Sequence, residues 1–178
     1  MPDVPTIDPA TPLLVAGTLP DELAGAANLL PAERRASVRL HNYWRTLAGP
    51  RRMPRRAQVD LPGPHPAPWF ENVFIIRVTP DPKDYVVEVA GPGLRRCFDC
   101  NPVGRKVSEL MPPRIRDRIL FFQRAVVTLR SPIDEAGSWR EANGVEMSFR
   151  MIVLPLGDDP TAIDYLLGAF TAGPRPVG

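Results

Sequence analysis

The stretch Val86–Leu110, VVEVAGPGLRRCFDCNPVGRKVSEL, decides the fold of this chain. It begins with a β-branched run that favours a strand, and this run stops at Gly91-Pro92-Gly93. A short apolar segment with both cysteines follows, and a second glycine step, Gly104-Arg105, precedes another apolar segment. The pattern predicts a strand that passes through a glycine hinge into compact helical segments. We expect these segments to form one wall of a small binding domain.

Strand and helix patterns alternate along the rest of the chain. Apolar residues recur at helical spacing in two segments, which predicts helices at Pro31–Leu47 and Arg114–Leu129. Alternating or β-branched runs between turn signals predict strands at Asn72–Thr79, Asp84–Ala90, Val127–Ile133, Glu146–Leu156 and Ala162–Ala172, with a polar turn at Glu135–Asn143. Strands before and after helices indicate an α+β fold, a five-stranded antiparallel sheet with helices on one face, preceded by an N-terminal helix.

The length of 178 residues fits one domain with tails. Of the 23 prolines, 12 lie within the first 68 residues, where they favour extended segments. We expect an acidic Pro/Ala-rich tail over 1–30, the N-terminal helix and an Arg/Pro-rich connector over 31–68, the folded domain over 69–172 and a short tail over 173–178. Alternatively, Asp21–Leu30 is a docking peptide that folds as a helix on a partner or on the domain itself.

Composition and charge exclude several classes of protein. A net charge of +2 gives no global field toward one kind of partner. Two cysteines, three residues apart, provide no disulfide framework, which fits a reducing compartment. A signal peptide would require basic residues near its start, but no basic residue precedes Arg34. No stretch approaches the roughly 18 apolar residues of a membrane span. We therefore expect a soluble cytoplasmic protein without a membrane partner.

An arginine-rich run, RRMPRR, occupies Arg51–Arg56 and follows further arginines that begin at Arg34. One alternative function is therefore an Arg-rich nucleic-acid-binding regulator. No aromatic residue interleaves with the run, and no helix-turn-helix or zinc-finger spacing lies nearby. A solvated helix face and a linker that pairs with acidic groups elsewhere is the favoured interpretation, and we do not expect nucleic acid as a partner.

Several short motifs follow one another in a fixed order. They are HNYWRTL (His41–Leu47), RRMPRRAQVD, GPGL (Gly91–Leu94), NPVGRKVSEL and the VLPLGDD before the last strand. Their order over Tyr43–Phe170 resembles the PAS domain family, in particular the branch of short bacterial single-PAS-domain proteins with Tyr-Trp, Leu-Pro-Arg-Arg, Thr-Gly-Arg and Leu-Pro-Leu. This chain has Met53 where that pattern has leucine and Val103 where it has threonine.

The resemblance implies a non-enzymatic sensor or protein-interaction module of bacterial signalling, usually a homodimer, with a signalling protein as partner. Ligands of such domains sit between the sheet and the helical segment around Leu94–Leu110. The pocket residues that we predict are apolar, which favours a hydrophobic or weakly polar small molecule; a fully packed core without ligand is the alternative. They are Phe74, Ile76, Val87, Val89, Leu94, Phe98, Val103, Phe122, Phe149 and Met151. On the N-terminal helix we expect Tyr43 and Trp44 to be exposed as interface anchors.

Haem and flavin are the cofactors to test against such a fold. A haem domain of this type needs an axial ligand, commonly a histidine on a helix over the sheet, but His41 and His65 both precede the sheet. Flavin photochemistry needs a cysteine in an Asn-Cys-Arg-Phe context, whereas this chain has Arg96-Cys97-Phe98. The sequence therefore argues against both cofactors.

Cys97 and Cys100 form the sharpest chemical signal in the chain. They suggest a thiol-based redox sensor, or half of a metal site completed across a dimer. Neither a second cysteine pair nor nearby histidines support zinc, and two partly buried structural thiols are the alternative. No catalytic residues are predicted, because no nucleophile motif or paired carboxylates occur. Gly91-Pro92-Gly93 lacks the length and lysine of a phosphate loop, so it predicts strand termination and close packing.

Overall fold

A computed structural model describes residues 31–61, 70–80, 84–159 and 161–175, with side chains from residue 36 onward. The predictions for the tail over 1–30 and for His65 lie outside these residues. In chain order the elements are α1 (Pro31–Ala48), a 3₁₀ turn (Arg56–Gln58), β1 (Val73–Val78), β2 (Tyr85–Ala90), α2 (Pro92–Phe98), α3 (Val107–Leu110), α4 (Pro113–Leu129), β3 (Ile133–Arg140), β4 (Glu146–Leu156) and β5 (Tyr165–Pro174). Within this described part, no helix has both the length and the apolar character to cross a membrane.

The strands form one five-stranded antiparallel sheet in the order β2-β1-β5-β4-β3. The last strand, β5, lies at the centre and pairs with β1 on one side and β4 on the other. The predicted α+β fold, with its five-stranded sheet and its N-terminal helix, is confirmed. The glycine-hinged stretch leaves the sheet from β2, at one edge, and forms α2 and α3.

The sequence prediction fails between α4 and β4. The helix ends at Leu129, as predicted, where Arg130 adopts a left-handed conformation at φ 53°, and the strand start predicted within Val127–Ile133 falls at Ile133, its last residue. The polar turn predicted for Glu135–Asn143 is mostly β3. β3 is an edge strand in which Gly137 and Trp139 are buried while the alternate residues face solvent. The polar sequence of β3 therefore resembles that of a loop.

Both faces of the sheet are covered. One face, here called the cavity face, presents Phe74, Ile76, Met151 and Phe170 to α2, α3 and α4. The alternate residues on the other face are as fully buried: Ile75, Leu154, Leu156 and Leu167 are 0% exposed. Helix α1 contacts β4 and β5, and we assign it to this second face because the remaining helices cover the first. Helices α2, α3 and α4 therefore share one face, as predicted, and the N-terminal helix α1 covers the other.

Trp44 fixes α1 to the sheet. Its indole Nε1 donates a hydrogen bond to the carbonyl oxygen of Pro155 at 2.8 Å, and the residue is only 6% exposed. The prediction that Trp44 is an exposed interface anchor is therefore wrong. Tyr43 is half-buried, and its hydroxyl exchanges hydrogen bonds of 3.0 and 3.1 Å with the backbone of Asp60. Both aromatic residues thus hold the N-terminal segment within its own domain.

The arginine-rich run docks on the turn between β4 and β5. Met53, in the middle of the run, is 1% exposed and belongs to the core. The carbonyl of Pro54 accepts a hydrogen bond from the Gly157 amide at 3.1 Å, and Arg51 Nη2 donates to the Asp158 carbonyl at 3.0 Å. These contacts give RRMPRR a structural role as the anchor of the connector.

Candidate functional site

A small cavity lies between the cavity face of the sheet and helices α2, α3 and α4. Its free space of about 20 Å³ is close to what a single water molecule needs. Strands and helices contribute to its lining alike: Phe74, Ile76, Val87, Leu94, Phe98, Pro102, Val107, Leu110, Met111, Ile119, Gln123, Met151 and Phe170. The packing of the core is therefore intermediate between the two alternatives that the sequence left open, which were an open pocket and complete packing.

Six of the ten predicted pocket residues come together around this cavity. They are Phe74, Ile76, Val87, Leu94, Phe98 and Met151. Of the lining residues on the helices, Phe98 and Leu110 are half-buried, whereas Leu94, Val107 and Ile119 are buried. The solvent side of the cavity therefore lies near the ends of α2 and α3.

The structure does not bring Val89 or Val103 to the cavity, so the predicted lining is corrected there. A β-bulge skips Glu88 in the pairing of β1 with β2, so Val87 opposes Ile76 whereas Val89 opposes Ile75. Paired residues share a face, which turns Val89 to the side of α1. Val103 lies in the turn before α3 and is 39% exposed.

Two predicted aromatic residues also lie outside the lining. Phe122 is half-buried on α4, where its ring lies 5.8 Å from the Arg118 guanidinium carbon. Phe149 is 0% exposed but packs between Trp139 and Phe170, with ring centroids 6.2 Å from each. Phe149 therefore supports the cavity wall from behind, through Phe170.

Seven further residues line the cavity that are not predicted from the sequence: Pro102, Val107, Leu110, Met111, Ile119, Gln123 and Phe170. Four of them lie in or directly after the NPVGRKVSEL motif, whose position beside the pocket was a usable signal. Gln123 follows Ile119 by four residues, so helical spacing puts both on one stripe of α4. A glutamine in such a stripe suggests a solvent position, and that is why it was passed over.

Gln123 is the polar member of an otherwise apolar lining. Its side chain is 2% exposed, and its amide oxygen Oε1 has no hydrogen-bond partner within the described residues. A buried acceptor without a partner loses its hydration and gains nothing in return. A hydrogen-bond donor that reached Oε1 would therefore be favoured.

Asp84 and Ser108 hold α3 over the cavity. The Ser108 hydroxyl donates to Asp84 Oδ2 at 2.6 Å, and the Ser108 amide donates to Asp84 Oδ1 at 3.2 Å. Asp84 directly precedes β2, so its carboxylate connects the beginning of that strand to the first turn of α3. The wall of the cavity is thereby tied to the sheet edge.

The second glycine step protects the edge of β2. Gly104, at φ 83°, donates its amide to the Val87 carbonyl at 2.8 Å, and the Val87 amide donates to the Arg105 carbonyl at 3.0 Å. The positive φ favours glycine at this turn. The segment before α3 thus runs along the sheet edge and positions α3.

The first glycine step brings α2 against the turn before β1. The Gly91 amide donates to the Val73 carbonyl and the Gly93 amide to the Glu71 carbonyl, both at 2.8 Å. A Cβ on Gly91 would collide with the carbonyl oxygens of Phe70 and Glu71. The predicted strand termination and close packing at this step are confirmed.

The two cysteines lie beside the cavity wall as free thiols. Burial raises the pKa of the Cys97 thiol above its ordinary value, although the residue as a whole is exposed. Arg105 Nη1 donates a hydrogen bond to Cys100 Sγ at 3.2 Å. Among the residues that the structure describes, no three histidine, cysteine or carboxylate side chains group as a metal site would require. The redox alternative stays a prediction.

His41, the histidine that the structure describes, lies on α1 and not on the cavity side. Its ring centroid is 6.0 Å from that of Trp44. It therefore belongs to the helix that covers the second face of the sheet, away from the cavity.

Comparison with known proteins adds a family and a set of similar folds. A family model described as PAS domain matches residues 32–171. Similar solved structures include the Rhodobacter sphaeroides LOV protein, with 18% identity, a TM-score of 0.44 and coverage of 56% of this chain and 57% of that chain. They also include the PAS domain of a Colwellia psychrerythraea protein, with 13% identity, a TM-score of 0.42 and coverage of 57% and 88%. The chain thus spans little more than half the length of the Rhodobacter protein. No curated protein matches it.

Proposed function

This chain belongs to the PAS domain family, and we propose that it is a non-enzymatic sensory module of bacterial signalling whose stimulus is a small, mostly apolar molecule. The molecule enters between the cavity face of the sheet and helices α2, α3 and α4. The observation that carries this proposal is the cavity itself, because both layers of the fold line it and the lining is apolar except for Gln123.

Entry of such a molecule expands the cavity, because about 20 Å³ holds no more than one water. Met111 and Met151 are the lining residues best suited to yield, since an unbranched thioether side chain adapts its shape readily. The expansion moves α3 relative to β2, and the Asp84–Ser108 hydrogen bonds transmit that movement to the sheet edge. A signalling protein that contacts α3 and the sheet edge at β2 then senses whether the cavity is occupied.

Assembly as a homodimer remains part of the proposal, but Trp44 does not supply the contact. The exposed side of α1 carries Val38, which is 52% exposed, and this side is available to a second copy of the chain.

Native mass spectrometry of the full chain tests the proposal. We expect a bound organic molecule of low mass on the wild type and on Val145→Phe, a control at an exposed position before β4 that is neither on α1 nor in the cavity lining. The molecule should be lost from Val107→Phe, which fills the cavity from α3. Bare chain in every preparation, or equal retention by both variants, would contradict the proposal. The same spectra report the assembly state.

A further inference from the structure

We propose that Gln123 recognises a hydrogen-bond donor on the molecule that enters the cavity. The ligand is then a small apolar body with one neutral N–H or O–H group, such as an alcohol, a phenol or a nitrogen heterocycle. This inference rests on the proposed function and names the chemical class of its ligand.

The position of Gln123 gives the first argument. It lies in the middle of α4, four residues after Ile119, and both residues line the cavity. With the side chain 2% exposed, bulk water does not hydrate the amide. Its Oε1 nevertheless has no hydrogen-bond partner within the described residues. When the cavity expands around a ligand, a donor on that ligand can reach this acceptor and complete it.

The comparison with other buried polar atoms gives the second argument. The remaining side-chain atoms in the described residues that are buried without a partner are the Nε atoms of Arg56, Arg116 and Arg150. None of these arginines lines the cavity. Arg150, for example, already donates through Nη2 to Asp134 at 2.6 Å. Gln123 differs from them because it is also one of the residues that line the cavity.

The rest of the lining decides the charge of the ligand. No lysine, arginine, aspartate or glutamate is among the residues that line the cavity. A charged ligand would lose its hydration there without an opposite charge in exchange, which is far more costly than burying a neutral donor. The apolar side chains pack against a hydrocarbon body, and Gln123 accepts a hydrogen bond from its single donor.

Equilibrium dialysis of the full chain against radiolabelled phenol and toluene tests the inference. The two probes have nearly the same shape, but only phenol carries a donor. Because free phenol is better hydrated than toluene, the quantity to compare is the ratio of the two dissociation constants in different variants. We expect the preference for phenol to be about tenfold greater in the wild type than in Gln123→Leu. Anisole, whose oxygen only accepts, should behave like toluene.

Two further variants keep the test interpretable. Gln123→Met removes the amide with a side chain of similar length, and it should lose the phenol preference as Gln123→Leu does. Ile119→Val enlarges the cavity without changing its polarity, so it should alter both affinities and leave their ratio unchanged. The same ratio in the wild type and both Gln123 variants, or anisole that follows phenol, would overturn this inference alone. Failure of all three probes to bind the wild type would overturn the proposed function with it.

Discussion

The indole nitrogen of Trp44 and the carbonyl oxygen of Pro155 are joined by a 2.8 Å hydrogen bond across 111 positions of sequence. Leu40 and Ala48, four residues to either side of Trp44, are also buried, so one stripe of α1 faces the sheet. The N-terminal helix is therefore part of the PAS domain and not an arm beside it. It covers one face of the sheet, so the ligand that we propose would enter at the opposite face.

Replacing Trp44 by phenylalanine tests this attachment. The change leaves the buried Pro155 carbonyl without its donor, so we expect the free energy of unfolding to fall by about 1–3 kcal/mol. Val145→Ala, at an exposed position before β4, should change it by less than about 0.5 kcal/mol. Urea denaturation measures both. Equal effects of the two substitutions would show that α1 is not docked through Trp44.

Met53 tests whether the arginine-rich run is an anchor. Its side chain is 1% exposed, and Met53→Ala should destabilise the protein by about 2–5 kcal/mol because it leaves a cavity in the core. The neighbouring Arg52 is exposed, so Arg52→Ala should shift the urea midpoint little. A Met53→Ala variant as stable as the wild type would contradict the structural role of the arginine-rich run and would favour the nucleic-acid alternative.

Removal of the Gln123 amide should make the ligand-free protein more stable, although the residue is buried. Gln123→Leu replaces an unpartnered acceptor by an apolar side chain of similar size, and we expect a gain of about 1 kcal/mol in the free energy of unfolding. Ile119→Val, four residues earlier on the same stripe, should lose about 0.5–1.5 kcal/mol. Thermal and urea unfolding provide the measurement. A marked loss of stability in Gln123→Leu would mean that the amide has a structural partner.

The pH dependence of Cys97 alkylation follows from its burial. Because burial raises the pKa of this thiol, the reactive thiolate forms at higher pH in the folded protein than in the unfolded chain. In a Cys100→Ala variant, the midpoint of the iodoacetamide rate against pH should therefore lie higher in buffer than in urea. By linkage, Cys97 also makes stability fall as pH rises from the unfolded-state pKa through the folded-state pKa. A lower midpoint in the folded protein would favour the redox alternative.

The sequence could predict the elements whose patterns are local. β4 has the predicted bounds because its apolar run lies between clear turn signals, and α4 follows a continuous helical stripe. The face of α1 could not be predicted in this way. Trp44 suits an interface as well as a core, and what decides between them is a carbonyl 111 positions away. The prediction of the polar edge strand β3 failed for a related reason, because half of its side chains face solvent.

The candidate site could be predicted only in part, for similar reasons. Alternation along β2 places Val87 correctly, but the bulge at Glu88 turns Val89 to the other face, and no local signal shows that bulge. Gln123 was missed because a polar residue in an apolar stripe suggests a solvent position. Its burial depends on α4 lying across the sheet, which is a property of the assembled fold.

The most direct test of the central claim is a methyl NMR titration of ¹³C-methionine-labelled protein with toluene. Met111 and Met151 line the cavity, whereas Met53 and Met147 do not. The proposed function predicts saturable shifts of the Met111 and Met151 methyl signals while those of Met53 and Met147 stay in place. Unchanged Met111 and Met151 signals up to the solubility of toluene, or equal shifts of all four, would contradict entry between the sheet and the helices.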